Sequence, residues 1–232
     1  MVQPKITILC EGHSDVDAAP LLIRRIKKDL FREGAQEKSV SVQNSGMRVG
    51  QFSKLLRPRN DGTELEKKLL LATRQVASGI ILLIDGDALP PQPQGVKCPF
   101  GAAKALVEIA RRAGAGQRFS FASVFAMQEF ETWMIAGARS ISANDTSGKY
   151  RLREDVNFPL GNIEEHPRNA KDWFVYNMRN GYTPTADLKN IVQLADLHEI
   201  QNRNLRSFRR LENAVHEICT AVVRGVHVAT PE

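Results

Sequence analysis

Short apolar runs alternate with longer segments of helical periodicity along the first 138 residues. Four runs have the length and the β-branched or aromatic content of strands, and they cover residues 5–10, 39–43, 80–84 and 120–127. The segments that follow them repeat apolar residues at three- and four-residue intervals, which is typical of helices. This β-α-β-α-β-α-β-α order predicts a mostly parallel α/β sheet flanked by helices, of the Rossmann-like kind.

Two details sharpen this prediction. The run at 80–84 is apolar at every position, which is typical of a strand buried on both faces. Thr63 with Glu66 forms a capping box that opens a helix over 64–77, and Ser14 with Asp17 resembles a capping box that opens a helix ending near residue 33.

The pattern changes after residue 138. Residues 139–185 are rich in loop-forming residues, and residues 186–224 return to helical periodicity. We therefore predict two parts, an α/β domain over residues 1–138 and a loop-rich, helical C-terminal extension over residues 139–232 that packs on it.

Composition and charge indicate which kind of partner and which cellular compartment to expect. The net charge of +6 and the pI of about 9.4 favour a polyanionic partner, and nucleic acid is the most abundant one in a cytoplasm. No apolar run reaches the roughly 18 residues of a membrane span, and the N-terminus lacks the pattern of a signal peptide, so we expect a cytoplasmic protein without a membrane contact. Three cysteines without CxxC spacing argue against a disulfide framework or a zinc site.

Acidic residues follow three of the predicted strands. Glu11 follows the first, Asp85 and Asp87 follow the third, and Glu129 and Glu131 follow the fourth. Because ligands of open parallel sheets bind at the carboxyl ends of the strands, these acids are expected to meet at one sheet edge. Carboxylates packed together repel each other unless a cation lies between them. An all-oxygen ligand set favours Mg²⁺ or Mn²⁺.

The stretches "ILCEGHSD" and "ILLIDGDAL" resemble the TOPRIM domain, which carries a Glu after its first strand and a DxD after a later one. More narrowly, the chain is similar to OLD-like bacterial TOPRIM proteins, which are often encoded beside an AAA-type ATPase. That closer resemblance also rests on "FAMQEFETWMIA" and on the late "YTPTADLKNIVQL" and "RSFRRLENAV".

The resemblance implies a metal-dependent nuclease, a hydrolase of DNA or structured RNA that acts in defence against phage or mobile elements, with an ATPase as a candidate partner. It implies that Glu11, Asp85 and Asp87 bind the metal. Glu131, or with less support Glu129, would bind a second metal or position the attacking water. The expected catalytic and metal-binding set is Glu11, Asp85, Asp87, Glu129 and Glu131, and candidates for contacting nucleic acid and neutralising charge are Arg206, Arg209 and Lys189.

Other interpretations remain open at this point. A phosphatase of the haloacid-dehalogenase type also uses a strand followed by DxD, but on its first strand and with a Thr or Val where this chain has Leu89. The stronger alternative is a non-catalytic subunit that binds nucleic acid or an ATPase. Metal-dependent cleavage that requires the DxD carboxylates separates the enzyme from that subunit.

Overall fold

The computed structural model describes residues 3–59, 62–74, 78–88, 99–165 and 169–231. Its main sheet is parallel throughout and has the strand order β2-β1-β6-β7-β8, with β3 pairing to β1 next to β2. A separate antiparallel pair is formed by β4 and β5. The strands are β1 (Lys5–Cys10), β2 (Ser41–Val42), β3 (Met47–Arg48), β4 (Pro58–Arg59), β5 (Gly62–Thr63), β6 (Gly79–Asp85), β7 (Ser120–Ala126) and β8 (Ala229–Thr230).

Helices cover both faces of the sheet. They are α1 (Asp15–Leu30), α2 (Phe52–Leu55), α3 (Glu64–Arg74), α4 (Pro99–Arg112), α5 (Phe130–Ala136), α6 (Ala138–Asn144), α7 (Ala170–Asn177), α8 (Pro184–Leu194), α9 (Leu197–Asn202) and α10 (Arg206–Val223). Because successive side chains of a strand point to opposite faces, β6 contributes to two apolar cores. Ile80, Leu82 and Ile84 pack with α3 and α4, whereas Ile81 and Leu83 pack with α1 and α10.

The predicted architecture is confirmed: this is an α/β protein with a mostly parallel sheet flanked by helices and a helical C-terminal region. The C-terminal region also completes the sheet, because α10 packs on β6 and β7 and β8 pairs with β7 at Phe121 and Ala122. The predicted strand at 39–43 is shorter than expected, since residues 36–39 form a 3-10 turn. The helix predicted after β7 forms as α5 and ends at Gly137, whereas α7 and all but the first residue of α6 lie within the segment over 139–185 that was predicted to be loop-rich.

The two predicted capping boxes have different outcomes. The Thr63 and Glu66 box is confirmed, because each side chain accepts a hydrogen bond from the backbone amide of the other residue. The Ser14 and Asp17 box was wrong. Ser14 Oγ donates instead to Asp15 Oδ1 at 3.1 Å, and Asp17 accepts a hydrogen bond from Ser45.

The structure also bears on the expectations about membranes and cysteines. In the part of the chain that it describes, no helix is both long and apolar enough to cross a membrane. Cys10 and Cys219 are free and buried, and burial raises the pKa of each thiol. Cys98 lies outside the described residues, as do Leu89 and the last residues of the helix predicted over 64–77.

Candidate functional site

The predicted acids lie at the carboxyl ends of three adjacent strands. Glu11 directly follows β1, Asp85 ends β6, and Asp87 lies in the 3-10 turn after it. Glu129 precedes the first residue of α5, and Glu131 lies in the first turn of that helix, just beyond β7. Since β6 lies between β1 and β7, the strand order places these acids at one edge of the sheet.

Glu11 has one carboxylate oxygen that the protein does not satisfy. The backbone amide of Phe52 donates to Oε1 at 3.3 Å, whereas Oε2 is buried without a hydrogen-bond partner. Burial raises the pKa of Glu11, although the backbone amides of Phe52 and Asp85 oppose this. A buried acceptor without a partner costs about 1–3 kcal/mol, so this oxygen is suited to a cation.

Asp85 joins the end of β6 to the start of α5, because its Oδ1 accepts a hydrogen bond from the Phe130 amide at 3.0 Å. Burial raises the pKa of Asp85 well above its usual range; nearby Asp15 raises it further, and the ammonium of Lys171 opposes the rise. The carboxyl group is therefore costly to ionise unless more positive charge arrives.

Gly86 lets the DxD sequence pack against the end of β7. A β-carbon at this position would lie 2.7 Å from the carbonyl oxygen of Ala126 and 3.0 Å from the amide nitrogen of Gln128. The amide of Asp87 donates to the carbonyl of Gln128 at 2.9 Å, and the Asp87 side chain is exposed. Gln128 itself has a φ of 67°, which is uncommon for a residue other than glycine and is often found at functional turns.

Glu129 is engaged by one lysine. The backbone amide of Lys171, in α7, donates to its Oε2 at 3.1 Å, and Lys171 Nζ donates to its Oε1 at 2.8 Å. Both oxygens of Glu129 therefore have partners within the protein. Of the two acids at the start of α5, Glu129 is the less available to a metal.

Glu131 is fully buried and only half satisfied. The hydroxyl group of Tyr182 donates to its Oε1 at 2.9 Å, whereas its Oε2 has no hydrogen-bond partner. Burial raises the pKa of Glu131 to about 7, with Lys171 opposing the rise. Burial and the charge of Glu131 also raise the pKa of Tyr182, so its hydroxyl stays protonated and remains a donor.

Lys171 supplies positive charge to the cluster. Its Nζ lies 2.8 Å from Glu129, 3.7 Å from Asp85 and 3.9 Å from Glu131. Burial lowers the pKa of Lys171, but the charges of Glu131 and Asp85 and the hydrogen bond to Glu129 outweigh it, and the pKa is raised. Lys171 is therefore an ammonium ion at neutral pH, held tightly by one acid and loosely by two.

Asp15 is a further buried acid beside this cluster. Its carboxylate accepts hydrogen bonds from the Gly12 amide at 3.0 Å and from Ser14 Oγ at 3.1 Å. Burial raises its pKa against these hydrogen bonds, and it is close enough to Lys171 and Glu129 for their charges to act on it. The acids of the site thus outnumber the ammonium ion that they surround.

The ligand chemistry of the cluster fits a hard divalent cation. The available donors are carboxylate oxygens, and Glu11 and Glu131 each have a buried oxygen without a hydrogen-bond partner. Over the described ranges, no three His, Cys, Asp or Glu residues form a group that could hold a metal ion as they stand. Metal binding at this edge therefore requires the carboxylates to move closer together around the ion.

The comparisons place the chain in a family. The profile of a family described as "Domain of unknown function (DUF4276)" matches residues 10–216. The chain belongs to this family. No curated protein and no solved structure matched it. The range shared with other DUF4276 proteins includes every acid of the site, from Glu11 to Glu131, together with Lys171 and Tyr182.

The basic residues expected to contact nucleic acid in this DUF4276 protein are exposed. Arg206 opens α10, Arg209 follows one turn later, and Lys189 lies on α8. No ion pair joins any of these three to a described acid of the site, whereas Lys171 contacts three of those acids. Lys171 is thus a cation of the site in addition to these three residues, whose contact with nucleic acid stays a prediction.

Lys171, Tyr182 and Asp15 were missed as site residues. Lys171 lies in the segment over 139–185 interpreted as loop, and "NAKDWF" carries no recognisable motif. Tyr182 is the first residue of "YTPTADLKN". This stretch supports the resemblance to OLD-like proteins, but it assigns no function to the tyrosine. Asp15 directly follows Ser14, which was interpreted as a helix cap together with Asp17, so the carboxylate of Asp15 was not considered as a site residue.

The raised pKa of Glu131 predicts how pH acts on metal-free stability. The folded protein keeps this proton up to about pH 7, whereas the unfolded chain releases it near 4.5. The stability from this group is therefore fully present below pH 4.5 and is lost as pH rises through 7, which corresponds to about 3 kcal/mol. Glu131→Gln should remove this loss, so in EDTA the variant should gain about 3 kcal/mol on the wild type between pH 4 and pH 8.

Urea unfolding of both proteins at the two pH values measures that difference. Glu154→Gln is a matched control, because Glu154 is exposed and pairs with Arg179 on the surface. Parallel pH dependences for the wild type and Glu131→Gln would show that Glu131 is ionised without cost, contrary to its burial.

Proposed function

We propose that this protein is a metal-dependent phosphodiesterase that cleaves nucleic acid. The observation that carries the proposal is the cluster of fully and partly buried carboxylates at the ends of β1, β6 and β7, in which Glu11 and Glu131 each have a buried oxygen without a hydrogen-bond partner. Such a group is costly in the absence of a further cation. Bound Mg²⁺ or Mn²⁺ would supply polarisation of the scissile phosphate and an activated water.

The residues divide into two sets in this proposal. Glu11, Asp85 and Asp87 would hold one cation between β1 and β6, and Glu131 would hold a second or orient the attacking water. Glu129 takes a different role, because both of its oxygens bind Lys171. It positions the lysine, and Tyr182 orients Glu131 by its hydrogen bond at 2.9 Å.

Lys171 would neutralise the charge that develops on the phosphate. Its ammonium is fixed by Glu129 at 2.8 Å and makes only a weak contact with Asp85 at 3.7 Å. With Asp85 as a metal ligand, Lys171 would keep Glu129 as its partner and could donate to a non-bridging phosphate oxygen. Preorganised donors of this kind stabilise a transition state strongly where water is excluded.

The net charge of +6 supports a polyanionic substrate. Exposed Arg206, Arg209 and Lys189 are the proposed contacts to its phosphates, and such contacts serve DNA and RNA alike. The resemblance to OLD-like TOPRIM proteins extends the proposal to cytoplasmic defence against phage or mobile elements, with an AAA-type ATPase as partner.

One observation favours a second candidate function. Lys171 already provides positive charge to Asp85, Glu129 and Glu131, and an internal counterion of this kind can stabilise acids that never bind a metal. In that case the protein would be a non-catalytic subunit that binds nucleic acid or an ATPase.

A cleavage assay separates the two candidates. Plasmid, linear DNA, single-stranded DNA and tRNA are incubated with the wild type in Mg²⁺, Mn²⁺ or EDTA, beside Asp87→Asn. Asp87 is exposed, so the substitution should leave the fold intact. We expect cleavage of at least one substrate with metal, none in EDTA, and none by Asp87→Asn.

The matched control is Glu154→Gln, the same change of carboxylate to amide at an exposed acid that pairs with Arg179 on the surface. It should cleave like the wild type. Absence of cleavage by the wild type in every condition, including with a co-expressed ATPase partner, would reject the nuclease and leave the binding subunit.

A further inference from the structure

A pocket of about 870 Å³ opens beside β7, where that strand extends past its pairing with β8. Its apolar wall comes from α4, from β7 and from the residue after β7, and is formed mainly by Pro99, Phe100, Ala103, Phe125 and Met127. The remaining wall comes from α10, from β8 and from the segment around residue 164. Pockets of this size and composition are typical of sites for small or flat organic groups.

The pocket is adjacent to the carboxylate cluster. Met127, at its edge, is two residues before Glu129. Gln128 lies between them and contacts both sides, because its Nε2 donates to the carbonyl of Glu164 in the pocket wall and its carbonyl accepts from the Asp87 amide, each at 2.9 Å. A molecule that spans Gln128 would reach both places.

Most charged groups of the pocket wall have partners within the protein, and the exposed Glu165 accepts a hydrogen bond from the Asn162 side chain at 2.9 Å. Glu164 accepts hydrogen bonds from the Arg206 and Ser207 amides at the start of α10. Arg210 binds Glu217 at 3.0 Å. The Arg206 side chain is exposed at the pocket, where it can meet an anionic group. The interior therefore suits an uncharged ring, with a phosphate at the rim.

Two side chains indicate what kind of ring fits. Phe100 is 57% exposed, an unusual state for a large apolar side chain. Lys104 Nζ lies over one face of its ring, 4.9 Å from the centroid, which leaves the opposite face for stacking. Ser123 is only 1% exposed, lines the pocket, and its Oγ has no hydrogen-bond partner. A hydroxyl can donate and accept, so it can bind the polar edge of a heterocycle whose face stacks on an aromatic ring.

We infer that this pocket binds an unpaired base of the nucleic-acid strand whose backbone lies at the carboxylate cluster. The base stacks against Phe100, its polar edge meets Ser123, and Arg206 contacts a neighbouring phosphate. The inference rests on the proposed function and deepens it, because a base buried in a pocket cannot be paired in a duplex. The preferred substrate is therefore single-stranded, or has an unpaired nucleotide beside the cleaved bond.

Binding in EDTA tests the inference without requiring cleavage. The probes are fluorescein-labelled single strands of DNA and RNA of about 15 nucleotides, and the duplex of the same sequence, measured by anisotropy with the full chain. We expect the single strand to bind more tightly than the duplex. Phe100→Ala should weaken single-strand binding about five- to a hundredfold, which is the range for loss of one base–aromatic stack, and leave duplex binding unchanged.

Tyr176→Ala is the matched control, because Tyr176 is an aromatic side chain that is 71% exposed and does not line the pocket. It should bind both probes like the wild type. Ser123→Ala provides a second test in which weaker binding cannot be attributed to loss of the fold. Removal of a buried hydroxyl without a hydrogen-bond partner should leave the melting temperature unchanged or raise it. This variant should still bind the single strand more weakly.

Unchanged single-strand affinity in both Phe100→Ala and Ser123→Ala would overturn the inference, as would equal affinity for strand and duplex. Competition by a free mononucleotide alone, with no preference for the single strand, would assign the pocket to a small nucleotide and would also overturn it. If the wild type shows metal-dependent cleavage but Phe100→Ala and Ser123→Ala bind the single strand with wild-type affinity, only this inference is rejected. Base binding without cleavage by the wild type rejects the nuclease.

Discussion

Replacement of Asp85 by asparagine is expected to lower the rate of metal-dependent cleavage about a thousandfold, since a metal that loses a ligand forfeits several kcal/mol of charge stabilisation. The fold should survive, because the asparagine carbonyl can still accept the hydrogen bond from the Phe130 amide. Initial rates at saturating Mg²⁺ measure the loss.

The same variant should be more stable than the wild type without metal. Burial raises the pKa of Asp85 well above its usual range, so an uncharged amide removes a group that is costly to ionise. Loss of activity together with equal or higher stability in EDTA thus distinguishes a functional acid from a structural one. Cleavage by Asp85→Asn at a rate within a few-fold of the wild type would exclude Asp85 as a metal ligand.

Replacement of Lys171 by methionine is expected to destabilise the metal-free protein by about 2 kcal/mol. The Lys171 side chain is one-third exposed, so the expected loss is smaller than for a fully buried pair. The loss arises because Glu129, 8% exposed, would lose the donor at 2.8 Å. Urea unfolding in EDTA and in Mg²⁺ measures the effect, and Mg²⁺ should stabilise the variant more than the wild type.

Lys189→Met is the control for this second prediction, because Lys189 is an exposed lysine of the neighbouring helix α8. It should unfold like the wild type in both conditions. A Lys171→Met protein with wild-type stability in EDTA would mean that the acids around Lys171 are protonated and need no counterion.

The fold was predictable from sequence because its signals are local. Runs such as 80–84 are apolar throughout, and a strand buried on both faces requires this. Strand β8 and strand β3 were missed because two residues carry no periodicity, and their pairing is decided by neighbours far along the chain. Helix α5 ends at Gly137, where the absence of a side chain lets Ile200 pack closely against the backbone. Only the tertiary structure reveals this contact.

The site was predictable only in part. The position of an acid directly after a strand is visible in the sequence, and Glu11 and Asp85 lie at one sheet edge for that reason. The partners of Glu129 and Glu131 are Lys171 in α7 and Tyr182, which lie more than 40 residues further along the chain. No local pattern encodes such contacts. The availability of Glu131 over Glu129 likewise depends on which oxygens Lys171 occupies.

The central claim is that this acidic cluster binds a divalent cation, and a titration with Mn²⁺ followed by electron paramagnetic resonance tests it most directly. The account predicts that the wild type binds Mn²⁺, that Mg²⁺ competes for the same site, and that Glu11→Gln weakens binding about tenfold or more. The surface variant Glu154→Gln should bind like the wild type. Wild-type protein that binds no more Mn²⁺ than Glu11→Gln would contradict the account.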